Sequence, residues 1–301
     1  MNQAATPATS SSSYKRQVII NIDDLGLSDP VNEAVIALGT LGKVRSTSYM
    51  AGGTISESQI RSLTGLQIEI GLHLDFTGIY PSTLTQSLSS VLLASYLRRL
   101  DKSAVTALIH EQLEGFENTF NKRPVFIDGH QHVHQFPVIR TCVADVLQAR
   151  YGETTATNQA TINMAARVTT PLVNDLKSWI IYVLGGPAWQ QLCRQHQMPT
   201  NGKFGGAYDF DANQDKLAKL WESWIAKCPL IDTNASTSDQ QQSPTLIMCH
   251  PALPNNDWED EIKAAREQEY DWLMSDTFAA LCEKYQVVPI GWLGYHQNVK
   301  K

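Results

Sequence analysis

Short runs of β-branched and aliphatic residues recur along this chain, and each is followed by a segment of helical spacing. Gln17-Val18-Ile19-Ile20-Asn21-Ile22 reads as a buried strand; Ser28, Asp29 and Pro30 then supply a capping oxygen and a proline suited to a first helical turn. Val31, Ala34, Val35 and Leu38 repeat at helical intervals, and Gly39 and Gly42 mark the end. Strands are expected again at residues 44–50, 66–74, 125–127, 245–249 and 287–290, with a helix from Pro137 to about Arg150. Strands joined by crossover helices lie parallel, so this alternation predicts an α/β fold with a mostly parallel sheet. Residues 157–208 fit the pattern poorly, and no element is assigned there.

Composition sets limits. The chain has 301 residues, 43% hydrophobic and 18% charged, enough to bury a full core. A net charge of -6 without a basic block offers nothing to nucleic acid or an anionic membrane. No apolar stretch is long enough to cross a bilayer. Five scattered cysteines, none in a Cys-x-x-Cys pair, argue for a reducing compartment and against thiolate metal ligation. The start of the chain lacks the charged and apolar regions of a signal peptide, so a cytoplasmic location is expected. Residues 1–14 read as a disordered tail and about 232–244 as an exposed loop insertion within a single domain at 15–301.

Polar groups sit where the apolar runs stop. Asp23-Asp24 follows Ile22, His73 closes the run over residues 66–74 with Asp75 next, Asp128 and His130 follow Ile127, and His250 follows Cys249. In parallel α/β folds, sites assemble at the C-terminal ends of strands. Asp128-Gly129-His130-Gln131-His132-Val133-His134 is the densest of these segments. On a continued strand its three histidines would share one face, and crowded imidazoles favour the neutral, metal-binding form. Asp24, His73 and His130 would make a two-histidine, one-carboxylate site for one divalent metal ion, with Asp23 close by as a base. A strand would send Asp23 and Asp24 to opposite faces, so the chain must turn at the pair, which Leu25-Gly26 permits. Acidic pairs also occur near helix starts and histidines in cores, so each of these groups has a structural reading as well.

Asn21-Ile22-Asp23-Asp24-Leu25-Gly26-Leu27-Ser28 resembles the opening motif of the YdjC-like carbohydrate deacetylases. Gly71-Leu72-His73-Leu74-Asp75 is similar to their second motif, Asp128 to His134 to the third, and Met248-Cys249-His250-Pro251-Ala252 to the fourth. The resemblance implies a distorted (β/α) TIM-like barrel that removes acetyl groups from N-acetylated sugars. It implies Asp24, His73 and His130 as metal ligands, Asp23 as general base and His250 as general acid. The metal is Mg2+ or Zn2+; two imidazoles favour Zn-type ions, whereas the family is associated with Mg. His132, His134, Tyr208, Trp258, Arg266 and Trp292 are candidates for holding an acetylated sugar, the small-molecule partner; a homodimer is compatible with this reading. Two departures stand out. Ile22 and Leu25 replace the family's small residue and aromatic, and the arginine expected mid-pattern has no clear counterpart near residues 151–168. The alternatives are a metal-dependent hydrolase of another amide or ester, or a catalytically silent sugar-binding protein of the same fold.

Overall fold

The computed structural model describes residues 14–154, 160–232 and 243–293. Its strands are β1 (Tyr14–Leu25), β2 (Ser46–Tyr49), β3 (Glu69–Leu74), β4 (Phe126–Gly129), β5 (Gly152–Thr154), β6 (Ala160–Ile162), β7 (Ala165–Ala166), β8 (Lys203–Gly205), β9 (Ile231–Asp232), β10 (Thr245–Cys249) and β11 (Val287–Pro289). Its helices are α1 (Asp29–Thr40), α2 (Glu57–Gly65), α3 (Leu88–Tyr96), α4 (Lys102–Phe120), α5 (Ile139–Tyr151), α6 (Leu176–Val183), α7 (Gly186–Gln195), α8 (Gln214–Lys227), α9 (Lys263–Met274) and α10 (Asp276–Lys284). The main sheet runs β7-β4-β3-β2-β1-β10-β8, with every one of these pairings parallel. β11 pairs with the start of β1 in parallel and β9 antiparallel, while β5 and β6 form a separate hairpin.

Bridges Ala166↔Thr200 and Pro171↔Phe204 join the two edges of the sheet. The sheet therefore curls into a distorted barrel, as expected. Strand parity sorts its side chains. Val18, Ile20 and Ile22 of β1, Ile70 and Leu72 of β3, and Ile247 of β10 pack outward in the larger apolar cluster. Ile19, Phe126, Phe204, Leu246 and Trp292 form a second apolar cluster inside. Gly71 has no side chain because an added Cβ would stand 2.5 Å from the Phe126 ring that fills this interior.

The expected strands are all present, with ends shifted by a few residues. Of the tail expected over residues 1–14, only Tyr14 is described, and it opens β1; most of the expected loop at 232–244 likewise lies outside the described residues. The unassigned stretch from 157 to 208 holds β6, β7, α6, α7 and β8. Its strands are only two or three residues long, too short to show a period. α1 begins after Ser28 as expected, but the Ser28 side chain does not cap it. Asn32 instead accepts from the Gly26 backbone N–H at 2.7 Å, tying the helix back to the strand turn.

Candidate functional site

The upper interior of the barrel is polar. Asn21 and Asp23 of β1 follow Ile19 on the inward face, joined by Ser46 and Ser48 of β2, His73 of β3 and Asp128 of β4. All are buried. Asp24 would point outward by parity, with Ile20 and Ile22. It does not, because it takes a left-handed φ of 69° and the β1–β2 register slips between Ile22 and Leu25. This bulge turns Asp24 toward the mouth. The turn expected at the acidic pair is made at Asp24 itself, and β1 continues to Leu25.

Three donors converge there. Asp24 Oδ1 lies 3.3 Å from His73 Nε2 and 3.0 Å from His130 Nδ1, and the three ligand atoms all fall within 4.8 Å of one another. His73 is aimed by its far nitrogen, since Nδ1 donates to Asp128 Oδ1 at 2.7 Å. That carboxylate fixes the ring so that Nε2 faces Asp24. Asp23, His73 and Asp128 also lie within 4.8 Å of one another. Arg167 occupies that second set, so a cation there would meet a guanidinium.

Arg167 is the main residue that sequence reasoning missed. It follows β7, is fully buried, and grips Asp23 with two hydrogen bonds of 2.6 Å while its Nη2 also lies 2.6 Å from Asp128 Oδ2. It sits inside the window of residues 151–168 where an arginine was expected and not recognised. Burial by itself would raise the Asp23 carboxyl, but the Arg167 guanidinium carries it well below the usual carboxylate range. Asp24 behaves alike: burial opposes its charge, and Arg266, donating to Oδ2 at 2.7 Å, more than compensates. Arg266 also donates to Asp260 at 2.7 Å. Both arginines are therefore engaged by carboxylates, and neither is free to grip a phosphate.

The charge balance suits a cation. Asp23, Asp24, Asp128 and Asp260 face Arg167 and Arg266, an excess of acid in a mostly buried space. Burial opposes an imidazolium at His73, yet Asp128 and Asp24 around it push its pKa up to about 10. A metal ion against Asp24 would take the place of that proton, which is ordinary competition at an imidazole ligand. Donor chemistry, spacing and charge all fit a divalent ion at Asp24, His73 and His130.

His250 follows β10 and stands beside Asp23. Its Nε2 is 3.9 Å from Asp23 Oδ2, beyond hydrogen-bond reach, so the two side chains are neighbours at the mouth without bonding to each other. Glu269 of α9 clamps this corner, accepting the His250 backbone N–H and, at 2.7 Å, the Tyr208 hydroxyl.

The other predicted residues scatter. β4 stops at Gly129, and residues His130–Gln135 form a tight turn with left-handed φ at Gln131 and His132, so the three histidines do not share a face. His132 still lines the cavity; burial, reinforced by Arg167, holds its pKa well below the ordinary value. His134 is buried against Trp189 with Nε2 at the Arg167 carbonyl, and burial brings its pKa down to about 4. Tyr208 and Arg266 line the cavity, whereas Trp258 does not. Trp292 stacks on Phe126 in the barrel interior with ring centroids 4.9 Å apart, well away from the mouth residues. Asp23, Asp24, His73, His130 and His250 all open into a cavity of about 920 Å³.

The YdjC-like protein family matches residues 17–284. Chitooligosaccharide deacetylase of Escherichia fergusonii is 28% identical over 138 residues, 43% of this chain and 55% of that protein. Carbohydrate deacetylase of Mus musculus is 28% identical over 150 residues, 45% of this chain and 48% of that protein. The chain spans about half the length of these curated relatives. A solved Enterococcus faecalis V583 protein, provisionally named a cellobiose-phosphate cleavage protein, superposes with a TM-score of 0.63 at 16% identity, covering 93% of this chain and 98% of its own. Identity that low speaks to the fold alone. No helix among the described residues is long and apolar enough to cross a membrane.

Proposed function

The chain belongs to the YdjC-like family, and from that premise we propose that it is a metal-dependent hydrolase removing N-acetyl groups from acetylated sugars. One juxtaposition carries this reading: Asp24, His73 and His130 converge beside Asp23 and His250 in a single cavity. The curated relatives are named as deacetylases of chitooligosaccharides and carbohydrates, which supplies the substrate class.

Asp24, His73 and His130 would hold the metal, Mg2+ or Zn2+. When bound, such an ion acidifies water and polarises a carbonyl oxygen. Asp23 would take the proton of the attacking water. Arg167 keeps it ionised and fixes its orientation, at the cost of some basicity. His250, beside Asp23, would protonate the departing amine, without which the tetrahedral adduct reverts. Arg266 holds one Asp24 oxygen, leaving Oδ1 toward the two imidazoles. His132, Tyr208 and Arg266 remain the substrate-side candidates that line the cavity.

The test is acetate release from N-acetylated mono- and oligosaccharides, with and without chelator. Release that a chelator abolishes and added metal restores is expected. Release that persists in metal-stripped protein, or none from any acetylated sugar in metal-loaded protein, would sink the reading.

A further inference from the structure

Arg167 holds the two oxygens of Asp23 alike. Its Nη1 donates to Oδ2 and its Nη2 to Oδ1, each at 2.6 Å. A symmetric grip fixes the plane of a carboxylate but does not choose which oxygen reacts. An ionised carboxylate offers about four lone-pair sites, two on each oxygen. Arg167 takes one on each, which leaves one open on Oδ1 and one on Oδ2.

Asn21 breaks that symmetry. Its Nδ2 donates to Asp23 Oδ1 at 2.7 Å and to Ser48 Oγ at 3.2 Å, while its Oδ1 accepts from the Ser46 hydroxyl. Asn21 and Ser46 are partners in the β1–β2 register, which sets their side chains next to each other on the inward face. A reversed amide would press its oxygen against a carboxylate, so these partners decide its orientation. Asn21, Ser46 and Ser48 are all buried. Parity places Asn21 directly above Ile19 of the inner apolar cluster, where a hydrocarbon side chain would pack without needing partners. The one charged partner of the amide is Asp23. Ser48 Oγ also stands 3.5 Å from the same Asp23 oxygen. Oδ1 is thereby filled. The open site belongs to Oδ2, the oxygen 3.9 Å from His250 Nε2.

We propose that Asn21 is a positioning residue for the general base. By occupying Asp23 Oδ1 from within the barrel, with Ser46 holding its amide, it makes Oδ2 the oxygen that takes the proton of the attacking water while the water oxygen bonds to the acetyl carbon. This rests on the deacetylase reading and assigns its base one oxygen. Without the Asn21 amide, Oδ1 regains an open site toward the barrel interior, and the proton acceptor loses its fixed direction.

The test measures kcat and KM for acetate release by the full metal-loaded chain, for Asn21→Ala, for Ser46→Ala, and for each of these combined with Asp23→Asn. Asn21→Ala should lower kcat by about tenfold to a hundredfold, the range for losing one hydrogen bond to a charged group, with KM within about twofold of the parent. Ser46→Ala frees the amide to turn and should lower kcat about threefold. In the Asp23→Asn background, whose residual release is read at high protein concentration, neither substitution should change kcat by more than about twofold. A residue that acts through Asp23 then has nothing left to position. The rise in melting temperature on adding Zn2+ should match the parent's, since among the described residues the Asn21 side chain bonds to Asp23, Ser46 and Ser48 and to none of Asp24, His73 and His130.

An Asn21→Ala variant that keeps the parent's kcat would overturn the proposal. So would a fall by the same factor with and without Asp23, which is what a merely structural residue gives, or a loss carried by KM. If Asn21→Ala does not fold, Ser46→Ala decides: an unchanged kcat, or an equal loss in both backgrounds, overturns the proposal. A parent chain that releases no acetate from any N-acetylated sugar defeats the deacetylase reading and this assignment with it, whereas parent turnover with additive losses defeats this assignment alone.

Discussion

The two ends of the barrel are built from the same strands and obey opposite rules. At the lower end, Ile19, Phe126, Phe204, Leu246 and Trp292 close the interior with apolar volume. At the upper end, two or four residues further along the same strands, Asn21, Asp23 and Asp128 bury charge and polarity at the mouth. The lower end gains stability by excluding water. The upper end carries carboxylates that burial disfavours, compensated chiefly by Arg167 and Arg266 with help from the neighbouring histidines. The difference shows where stability and chemistry reside, and it can be broken from either side.

The largest effect is expected at the mouth. Asp23→Asn should lower kcat for acetate release by about 10²–10⁴-fold with KM little changed, as for loss of a general base. Steady-state kinetics on the best acetylated substrate will check this, and near-normal turnover would remove Asp23 from that role. At the opposite end, Trp292→Ala should cost about 3–5 kcal/mol in urea unfolding, as large aromatic truncations do. Its kcat at a temperature where the variant is folded should stay near the parent value. A selective loss of kcat would mean that the two ends are coupled.

Metal removal comes next. Returning Zn2+ to chelator-stripped protein at 100-fold over its Kd should stabilise it by about 2.7 kcal/mol, read as a rise in melting temperature. His73→Ala should abolish that rise. An ion held by His73 would displace a proton from a histidine whose pKa is pushed up, so its apparent affinity should fall as pH is lowered. An affinity independent of pH would exclude His73 as a ligand.

The smallest effect belongs to Glu69 at the lower end, which accepts the backbone N–H groups of Trp292 and Leu293. Burial raises its pKa and outweighs those hydrogen bonds. A raised carboxyl contributes stability below its unfolded pKa and loses that contribution as pH rises through the folded value. Glu69→Gln should therefore flatten the pH dependence of the urea midpoint across the weakly acidic range. Unchanged curvature would locate that titration elsewhere.

Much of this was legible in the sequence for a simple reason. Strand alternation is local, and the groups that close an apolar run sit at strand ends in any parallel fold. His73, Asp128 and His250 could be found that way. Arg167 could not, because it follows a two-residue strand in a stretch without visible period. Parity misled at His132 and His134, where the strand ended sooner than the histidine spacing suggested. Trp292 looked available to a sugar only because nothing local shows that it plugs a barrel.

What the sequence determined by itself was the order of strands and helices and the chemical identity of the groups at their ends, since both follow from short-range pattern. The tertiary structure alone decided which of those groups meet. It set the bulge that swings Asp24 inward, brought Arg167 onto Asp23 across 144 residues of chain, and put side chains of α3 and α6 into one cavity with the charged centre. Contacts between distant segments depend on how the barrel closes, and no local run of residues encodes that closure.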